Sequence, residues 1–570
     1  MWGVRGGIDV IGKRLHNRKV LIVLDDVDEK DQLDALARRH DWLGPGSRII
    51  ITSRDKHLLE RSHMDMIYSA KGLEDDKTLE LFSWTVFKKP RLEKDFVDLS
   101  KGEGENQVAD ILKDSGYYKD IEILKDKSLI TISGRKLWMH DLLQEIGKEI
   151  VSREAPQEPG RCSRLWNDMD VFSILKNNTG MEFVEGMVIN SSPHKEELNV
   201  EAFSKIKRLR LIKIYNVQLP QGLNYLSNEL RMMDWCDYPL KSMPISFQLT
   251  NLVELIMPHN YIKQLPTGFA NLDKLKLMDL SDSQHLINTP DFNGFPNLKR
   301  LIFQGCTRLY KIYPSIGALK RLTLLNLKDC KHLHSLPHEI NIESLEIFIL
   351  SGCSRLRNFL EIERDMTRLL ELYLDGTAIE ELPSSFKHLT GLILLNLQEC
   401  ENISSFPQFI CSLTSLKILN LLGCNSQPPK SWHFLGLSFI YATLVLWKNS
   451  FFIAQHPELE PINLFMPRSF SGLRSLVSLD LSDCNLLDGA FLGDLGCLSS
   501  VQFLNLSKSN FTHLPDSISQ LPKRTVLYMD NCSRLQALPN LPLSAQFVMA
   551  RGCASLQNYN EVVVWTPGET

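Results

Sequence analysis

Two stretches of the chain, Leu322–Cys330 (LTLLNLKDC) and Leu392–Cys400 (LILLNLQEC), share one arrangement of leucines and end in the same residue. The arrangement is L-x-x-L-x-L-x-x-C. An extended chain places the two leucines of L-x-L on one side and the residue between them on the other. Each stretch therefore predicts a short strand with one apolar side.

This arrangement recurs from about residue 209 to Cys553. When the units are aligned on their last residue, that position is held by Val217, Tyr238, Asn260, Ser283, Cys306, Cys330, Cys353, Thr377, Cys400, Cys424, Cys484, Ser509, Cys532 and Cys553. Neighbouring units are 21 to 25 residues apart, except for 60 residues between Cys424 and Cys484. This is the period of leucine-rich repeats, which bury their leucines only by stacking. The sequence predicts a solenoid.

The last position of each unit is predicted to be a tight corner, where a small or polar side chain meets the backbone of the adjacent unit. Eight of the twelve cysteines occupy it, and we interpret them as structural rather than as reactive thiols or metal ligands. No C-x-x-C pair indicates zinc. A Leu-Pro pair, such as Leu336-Pro337, recurs later in the units and is predicted to lie on the extended convex side, where no ladder hydrogen bond is needed.

The residues beside the inward leucines are predicted to line a concave surface. The binding candidates are Asn326 and Lys328, Tyr373 and Asp375, Asn396 and Gln398, Asp480 and Ser482, and Tyr528 and Asp530. Their mixed, partly aromatic chemistry suits a protein partner better than a phosphate backbone. For most of them taken singly, a solvated strand face is the simpler interpretation.

The long interval between Cys424 and Cys484 indicates one insertion at about 425–470, or a degenerate unit plus an insertion. Its apolar run, Phe434–Trp447, is shorter than the about 20 residues of a membrane span. With 64 basic and 68 acidic residues, the chain has no bulk charge that would favour nucleic acid or an anionic membrane, and neither partner is expected. The N-terminus has no secretory signal, which predicts a cytoplasmic location, with the nucleus as the alternative.

Nearer the N-terminus, Val20–Leu24 (VLIVL) is a continuous apolar run, which is typical of a parallel strand buried on both faces. A helical pattern, the turn Gly44–Gly46 and a second apolar run, Arg48–Thr52, follow it. Together they predict a strand–helix–strand unit with a right-handed crossover.

Charged residues follow both of these strands, at the edge where open α/β sheets hold their ligands. In a nucleotide-binding sheet, Asp25 would bind Mg²⁺ directly or through water, and Asp26 would polarise the attacking water. Arg54 would contact the terminal phosphate.

The stretch Gly7–Arg14 (GIDVIGKR) matches G-x-x-x-x-G-K but has Arg14 in place of Ser or Thr. A phosphate-binding loop lies between a strand and a helix, whereas too few residues precede Gly7 for an interior strand and too few separate Lys13 from Val20 for a parallel crossover. We interpret the stretch as the end of a helix that packs Ile8, Ile11 and Leu15 against the sheet.

Three motifs and the repeats, in this order, resemble plant intracellular immune receptors of the TIR-NB-ARC-LRR class. The motifs are KVLIVLDDVDEKDQLDAL (residues 19–36), HDWLGPGSRIIITSRDKHLL (40–59) and KLWMHDLLQEIGKEIV (136–151). The resemblance implies an α/β fold: a partial P-loop-NTPase-like NB-ARC region and a winged-helix-like subdomain, followed by a leucine-rich-repeat solenoid shaped as a horseshoe.

The resemblance also implies roles for individual residues. Asp25 and Asp26 end the Walker B strand, Arg54 is a nucleotide sensor, and the motif Met139-His140-Asp141 holds ADP in the resting state. His140 would approach the β-phosphate, since its charge is easily tuned near neutral pH. The alternative for the last pair is structural, with His140 at a helix start and Asp141 as an anion in the first turn.

Several family parts are not found. The TIR domain and the true P-loop are expected before residue 1, and most of a four-helix subdomain is inferred to be lost between Lys101 and Gly102. The expected domains are a partial nucleotide-binding region (1–101), a winged-helix-like subdomain (102–180), the repeats (181–556, with the insertion) and a tail (557–570). ADP or ATP binding with Mg²⁺ is expected to be weak or lost.

The predicted function is therefore that of a truncated immune receptor without enzyme activity, because the ATPase and TIR NADase parts of the family are incomplete or absent. Its solenoid would recognise a pathogen effector or a guarded host protein, or would regulate a full-length relative. The main alternative is an ADP/ATP-dependent switch ATPase that retains activity. A cell-surface leucine-rich receptor is disfavoured, because it would need a signal peptide.

Overall fold

The structure is a computed structural model that describes residues 15, 18–25, 27, 44–53, 56–61, 66–68, 101–104, 130–133, 136–139, 141–178, 181–190, 200–215, 217, 223, 225–244, 246–265, 271–337, 342–362, 366–403, 407–424, 470–490, 494–522, 525–538 and 547–556. The chain divides into two compact units, Met1–Arg91 and Leu92–Thr570. Each unit is described by itself.

The first unit contains two parallel strands, β1 (Leu21–Leu24) and β2 (Arg48–Ile51), and a short helix, α1 (Lys56–Arg61). The turn at Gly44 is closed by its carbonyl, which accepts from the Ser47 N–H at 3.1 Å. The parallel pairing of β1 with β2 is the one predicted for the strand–helix–strand unit. The predicted crossover helix and the stretch Gly7–Arg14 lie outside the described residues.

One part of the prediction for this unit is wrong. The run VLIVL was expected to be buried on both faces, but Leu21 and Val23 are 62% and 59% exposed, and Ile50 on β2 is 50% exposed. The alternate side chains, Ile22 and Leu24, are half-buried. The strand is thus shielded on one face only, because no element in the described part of this unit covers the other.

The second unit begins with a three-stranded antiparallel sheet in the order β3 (Lys101–Gly104), β5 (Lys136–Met139), β4 (Ile130–Ser133). Helix α2 (Asp141–Ser152) follows directly, and Val151 near its end is buried. Strand β3 spans the position where an internal loss is expected.

The solenoid sheet starts at Arg164, earlier than the residue 181 boundary expected from the sequence. Its first strand, β6 (Arg164–Leu165), is followed by helix α3 (Asp168–Asn177), which begins with the Asn167 side chain accepting from the Met169 N–H. Arg164 is buried and donates to Glu185 at 3.2 Å, and Glu185 also pairs with two further arginines. This ion-pair cluster lies at the first strands of the stack.

Among the described residues, sixteen strands form one parallel sheet in sequence order. After β6 they are β7 (Gly186–Ile189), β8 (Leu211–Ile214), β9 (Met232–Trp235), β10 (Glu254–Ile256), β11 (Leu277–Asp279), β12 (Arg300–Ile302), β13 (Leu324–Asn326), β14 (Ile347–Ile349), β15 (Glu371–Tyr373), β16 (Leu394–Asn396), β17 (Ile418–Asn420), β18 (Ser478–Asp480), β19 (Phe503–Asn505), β20 (Val526–Tyr528) and β21 (Phe547–Met549). The solenoid prediction is confirmed.

Within each repeat the two inward residues fill the core, as Leu325 and Leu327 do with no exposed surface. Away from the strands, the chain runs through short 3₁₀ turns. Several of these begin after an extended proline, such as Pro383 (φ −68°, ψ 151°) and Pro515 (φ −67°, ψ 144°). Proline has no N–H to donate, and this position requires none from it.

The two strands that flank the long interval are neighbours in the sheet. Strand β17 pairs directly with β18, with Ile418 opposite Ser478 and Asn420 opposite Asp480. The Cys484 thiol donates across the same junction to the Leu421 carbonyl at 2.9 Å. Residues 425–469 lie outside the described residues, so the choice between one insertion and a degenerate repeat plus an insertion stays a prediction.

Candidate functional sites: a strand-end carboxylate and the sheet face

Asp25 lies at the carboxyl end of β1, where it was predicted. The Thr52 hydroxyl, at the same end of β2, donates a short hydrogen bond to Asp25 Oδ1. The backbone links the two strand ends as well, since the Thr52 N–H donates to the Leu24 carbonyl and the Val27 N–H to the Thr52 carbonyl, both at 2.9 Å. Asp25 is exposed, so its second oxygen is accessible to solvent.

The other predicted nucleotide residues are described only in part. Asp26, Arg54 and His140 lie outside the described residues. The backbone places Met139 at the end of β5 and Asp141 at the start of α2.

A nucleotide with Mg²⁺ needs several converging oxygen ligands and a phosphate cradle. Asp25 supplies one carboxylate, and Thr52 already donates to it. In the described part of the chain, no three His, Cys, Asp or Glu side chains cluster closely enough to hold a metal ion. The described residues alone therefore do not form a nucleotide site.

The solvent-facing side of the solenoid sheet, here called the sheet face, carries three outward residues per repeat. In the repeat of β13 these are Leu324, Asn326 and Lys328, which alternate with the buried Leu325 and Leu327. The sequence-based candidates lie on the second and third of these positions, as predicted. The first was missed, although a signal existed: in L-L-x-L the first leucine must face away from the second.

That first position makes the centre of the sheet face apolar. In five successive repeats it is held by the apolar residues Leu324, Ile347, Leu394 and Ile418 and, in the middle repeat, by Glu371. All are partly exposed, and Ile418 is 40% exposed. Apolar area at the centre of a polar surface is the usual composition of a protein-binding interface.

The asparagines of the sheet face are engaged within the chain. Asn396 Nδ2 donates to Asp375 Oδ1 of the preceding repeat at 3.0 Å, and its Oδ1 accepts from the Gln398 N–H at 3.2 Å. Asn326, Asn420 and Asn505 reach back in the same way, to Gln304, Gln398 and Asp480. These side chains link neighbouring repeats. Asn326 and Asn396 therefore have a structural role, and a partner would have to compete with the hydrogen bonds that they already make.

Around Tyr373 the sheet face is acidic. The Tyr373 hydroxyl donates to Glu371 at 2.9 Å, and Asp375 accepts from Ser351 at 2.7 Å. Burial, followed by the hydrogen bond to Glu371 and the charges of both carboxylates, raises the pKa of Tyr373 to about 12. The Tyr373 phenol therefore stays protonated and keeps its hydrogen bond to Glu371. A partner would meet the carboxylates of Glu371 and Asp375 beside this hydroxyl.

The C-terminal repeats add a second aromatic spot. The rings of Phe503 and Tyr528 lie 5.3 Å apart on adjacent strands. Beside them, Asp530 accepts from the Arg551 N–H at 2.8 Å, and Asp480 accepts from Ser482 Oγ at 2.6 Å. The predicted pairs at 480–482 and 528–530 thus lie on one continuous surface.

The corner cysteines have the structural role predicted for them. Each thiol donates to a backbone carbonyl of the preceding repeat, as Cys306 does to Leu280 at 3.1 Å and Cys330 to Phe303 at 3.2 Å. Burial raises the pKa of Cys306 to about 12. None of the described thiols forms a disulfide, and a thiol with this pKa is neutral at physiological pH.

The residue before each corner was not singled out from the sequence. It adopts a left-handed backbone in every described repeat from β9 onward, with φ between 56° and 73°. The residues are Asp237, His259, Asp282, Gly305, Asp329, Gly352, Gly376, Glu399, Gly423, Asp483, Lys508, Asn531 and Gly552. The recurrence of Gly, Asp and Asn at this position was the available signal.

The fold and these sites define a class: a leucine-rich-repeat protein that also carries a parallel strand pair ending in aspartate and a small antiparallel sheet followed by a helix. Family comparison matches the NB-ARC domain over residues 8–92. It matches the Roq1-like disease resistance winged-helix domain over residues 90–155 and the RPS4B-like disease resistance leucine-rich repeats over residues 341–439.

Individual relatives agree with these matches. TMV resistance protein N of Nicotiana glutinosa is 33% identical, over 93% of this chain and 54% of the relative. Disease resistance protein RUN1 of Vitis rotundifolia is 32% identical, over 56% of this chain and 32% of the relative. Disease resistance-like protein DSC1 of Arabidopsis thaliana is 29% identical, over 98% of this chain and 54% of the relative.

The chain belongs to the plant NB-ARC–leucine-rich-repeat disease resistance proteins. It spans about half the length of the relatives that match nearly all of it. Within the residues that the structure describes, no helix is long and apolar enough to cross a membrane.

Proposed function

We propose that this protein is a plant innate immune receptor whose sheet face binds a protein partner, either a pathogen effector, a guarded host protein or a full-length receptor. The observation that carries the proposal is the uninterrupted sheet, in which sixteen parallel strands present one partly apolar surface. The family of the chain supplies the defence context.

The chemistry of the sheet face favours a protein over a nucleic acid. Its centre is apolar at Leu324, Ile347 and Leu394, and the neighbouring polar groups include the carboxylates of Glu371 and Asp375. Carboxylates repel phosphate, whereas tyrosines and apolar side chains are typical contacts in protein interfaces. The partner would bind in the cytoplasm or the nucleus.

For the nucleotide, we propose weak or absent ADP and ATP binding and no turnover by this chain. Asp25 is the one predicted ligand whose surroundings are described, and it accepts from Thr52. The spacing between Lys13 and Val20 leaves Gly7–Arg14 too close to β1 to act as a phosphate loop. Asp26, Arg54, His140 and Asp141 keep their proposed roles as the remains of a family site.

The domain boundaries also remain proposals. The NB-ARC match ends at residue 92 and the winged-helix match begins at residue 90. Adjoining matches support the inference that an intervening subdomain is largely lost near Lys101. Without that subdomain the alternative function, a switch ATPase that retains activity, is disfavoured.

Genetic complementation tests the proposal. Plants in which the gene is disrupted should become susceptible to at least one pathogen isolate that the parent line resists, and the intact gene should restore resistance. A double variant of the sheet face, Tyr373→Ala with Tyr528→Ala, should not restore it, whereas Gln536→Ala, an exposed change away from the sheet face, should. Equal rescue by the double variant would contradict a role for this surface.

A further inference from the structure

A second surface of the solenoid is formed by the segments that directly follow the corner residues in the repeats of β10 to β13. It is formed by Tyr261, His285, Ile287, Tyr310 and His334, here called the Tyr–His flank. Six large apolar or aromatic side chains are exposed in the described residues from β10 onward, and four of them fall within residues 261–313. The exposed fractions are 49% for Tyr261, 46% for Ile287, 54% for Tyr310 and 38% for Tyr313.

Backbone and ring contacts join these residues into one surface. The Tyr310 N–H donates to the Ile287 carbonyl at 2.8 Å, and Asn288, Lys311 and Ser335 form successive parallel bridges. The Tyr261 ring stacks on His285 with centroids 5.4 Å apart, and the Tyr310 ring lies 5.0 Å from His334. Four consecutive repeats thus contribute to the flank. The paired backbone segments of adjacent repeats lie about 4.8 Å apart.

The charge of this flank has one sign. Lys263, Arg308, Lys311 and Lys331 lie among or beside the rings, and the segments 261–265, 284–290, 307–314 and 331–337 contain no Asp or Glu. None of these four cations forms an ion pair with a carboxylate among the residues that the structure describes. At the corresponding positions of later repeats the same flank carries Glu380, Glu381 and Asp488.

We propose that the Tyr–His flank binds an acidic protein segment that also presents apolar side chains. The exposed tyrosines and Ile287 supply apolar contact area, and the four cations complement carboxylates. Tyrosine and arginine are among the residue types that most often dominate the binding energy of protein interfaces, and the lysines add charge complementarity. A protein whose net charge is −4 has concentrated cations here, so the charge match is local.

A nucleic acid fits this flank less well. The Tyr261 ring already stacks on His285 and the Tyr310 ring lies tilted against His334, which limits stacking of these two rings with bases. Ile287 lies between the rings and offers nothing to a phosphate. The proposal rests on the proposed function only in assigning protein binding to the solenoid, and it concerns a different surface, so the two can fail separately.

Fluorescence anisotropy with the full chain tests the proposal. The probes are four labelled molecules of equal length: a peptide alternating Glu and Asp with Leu and Phe, its Gln/Asn counterpart, its Lys counterpart, and an oligouridylate. The acidic peptide should bind about tenfold or more tighter than the other three. Tyr310→Ala should weaken binding of the acidic peptide about fivefold or more. Lys311→Glu should weaken it as much and should strengthen binding of the Lys peptide.

Gln536→Ala, at the equivalent position of a later repeat, is the matched control and should leave binding unchanged. Equal binding of the neutral peptide, tighter binding of the oligouridylate, no binding of the acidic peptide, or no effect of both flank variants would each overturn the proposal. Sedimentation checks the remaining occupant: a dimer that dissociates in Tyr310→Ala would assign the flank to contacts between copies, through Glu380 and Glu381, and would also overturn it.

Discussion

Strands β1 and β13 are both short, parallel and rich in leucine, but they differ in what surrounds them. In β13, Leu325 is fully buried between neighbouring repeats, and a strand pairs on each side. In β1, only β2 pairs among the described residues, and Leu21 and Val23 are more than half exposed. An apolar run specifies a strand, whereas the number of neighbours decides whether it is buried.

The same difference separates the two candidate sites. The sheet face is complete within the repeats, because each repeat supplies three outward residues and the corner that positions the next repeat. The strand-end site has Asp25 and Thr52 in contact and needs other elements to converge on a ligand. The proposed partner surface is therefore complete in the second unit, whereas the described residues of the first do not form a nucleotide site.

The largest expected effect concerns the thiols of the solenoid core. Burial raises the pKa of Cys306 and Cys353 to about 12, from an ordinary value of 9.0. Their reaction with a thiol reagent at pH 8 should be about a hundredfold or more slower in the folded protein than after unfolding. A chromogenic thiol reagent used with and without guanidinium measures this, provided that each labelled cysteine is identified by mass spectrometry, because Cys236, Cys411 and Cys497 are only half-buried. Rapid labelling of Cys306 or Cys353 in the native protein would show that the repeats are not packed.

The same shift predicts a pH dependence. The unfolded chain loses its thiol protons near pH 9, whereas the folded chain holds them until about pH 12. A raised pKa in the folded state stabilises the fold fully below pH 9 and progressively less as the pH rises to 12. The melting temperature should therefore fall in this window, and the fall should be smaller when Cys306 and Cys353 are replaced by Ala.

Truncation of an inward leucine is the next largest change. Leu327→Ala removes a side chain with no exposed surface and should cost about 2 to 5 kcal/mol of unfolding free energy. Val23→Ala in β1 should change it by less than about 0.5 kcal/mol, because the side chain is largely solvated. Urea unfolding followed by circular dichroism compares them, and equal losses would remove the distinction between the two strands.

The asparagine ladder is expected to have a moderate effect. Asn396→Ala removes the bonds to Asp375 and to the Gln398 N–H, and should cost about 1 to 2 kcal/mol. Lys328→Ala, on the same face but exposed, should be nearly neutral. If Asn396→Ala left stability unchanged yet abolished partner binding, Asn396 would be a contact residue rather than a structural one.

The smallest effect concerns the left-handed position before each corner. Glu399 adopts φ 56° and Gly376 adopts φ 65° at equivalent positions. Gly376→Ala should destabilise by about 1 kcal/mol, since a side chain disfavours this backbone, and Glu399→Gly should be neutral or slightly stabilising. Thermal unfolding of the two variants measures this, and the opposite signs would contradict a conserved corner geometry.

Much of the solenoid follows from local spacing. The alternation in LTLLNLKDC sets which of Leu325, Asn326 and Leu327 point inward, and this is a property of any extended chain. The engagement of Asn396 by Asp375 could not be read in the same way, because those residues meet only when two repeats stack at one register. Pairing of β17 with β18 across the long interval likewise depends on the stack.

At the nucleotide end, the position of Asp25 at a strand end was predictable from the run VLIVL. Its contact with Thr52 was not, because it depends on the register of β1 with β2. The exposure of Leu21 was mispredicted for a related reason: a run of apolar residues reports the side chains of one strand and says nothing of the elements packed on it. The Tyr–His flank was overlooked because its residues come from four different repeats, with Tyr261 and Tyr310 two repeats apart.

The central claim is that the strand-end site around Asp25 is not a working nucleotide site. Isothermal titration of the full chain with ADP and Mg²⁺ tests this claim most directly. The account predicts no saturable heat at ADP concentrations of about 100 μM, which corresponds to binding weaker than about −5.5 kcal/mol. It also predicts the same result for Asp25→Ala. Micromolar binding by the intact chain that disappears in Asp25→Ala would contradict the account, because it would show that Asp25 belongs to a working nucleotide site.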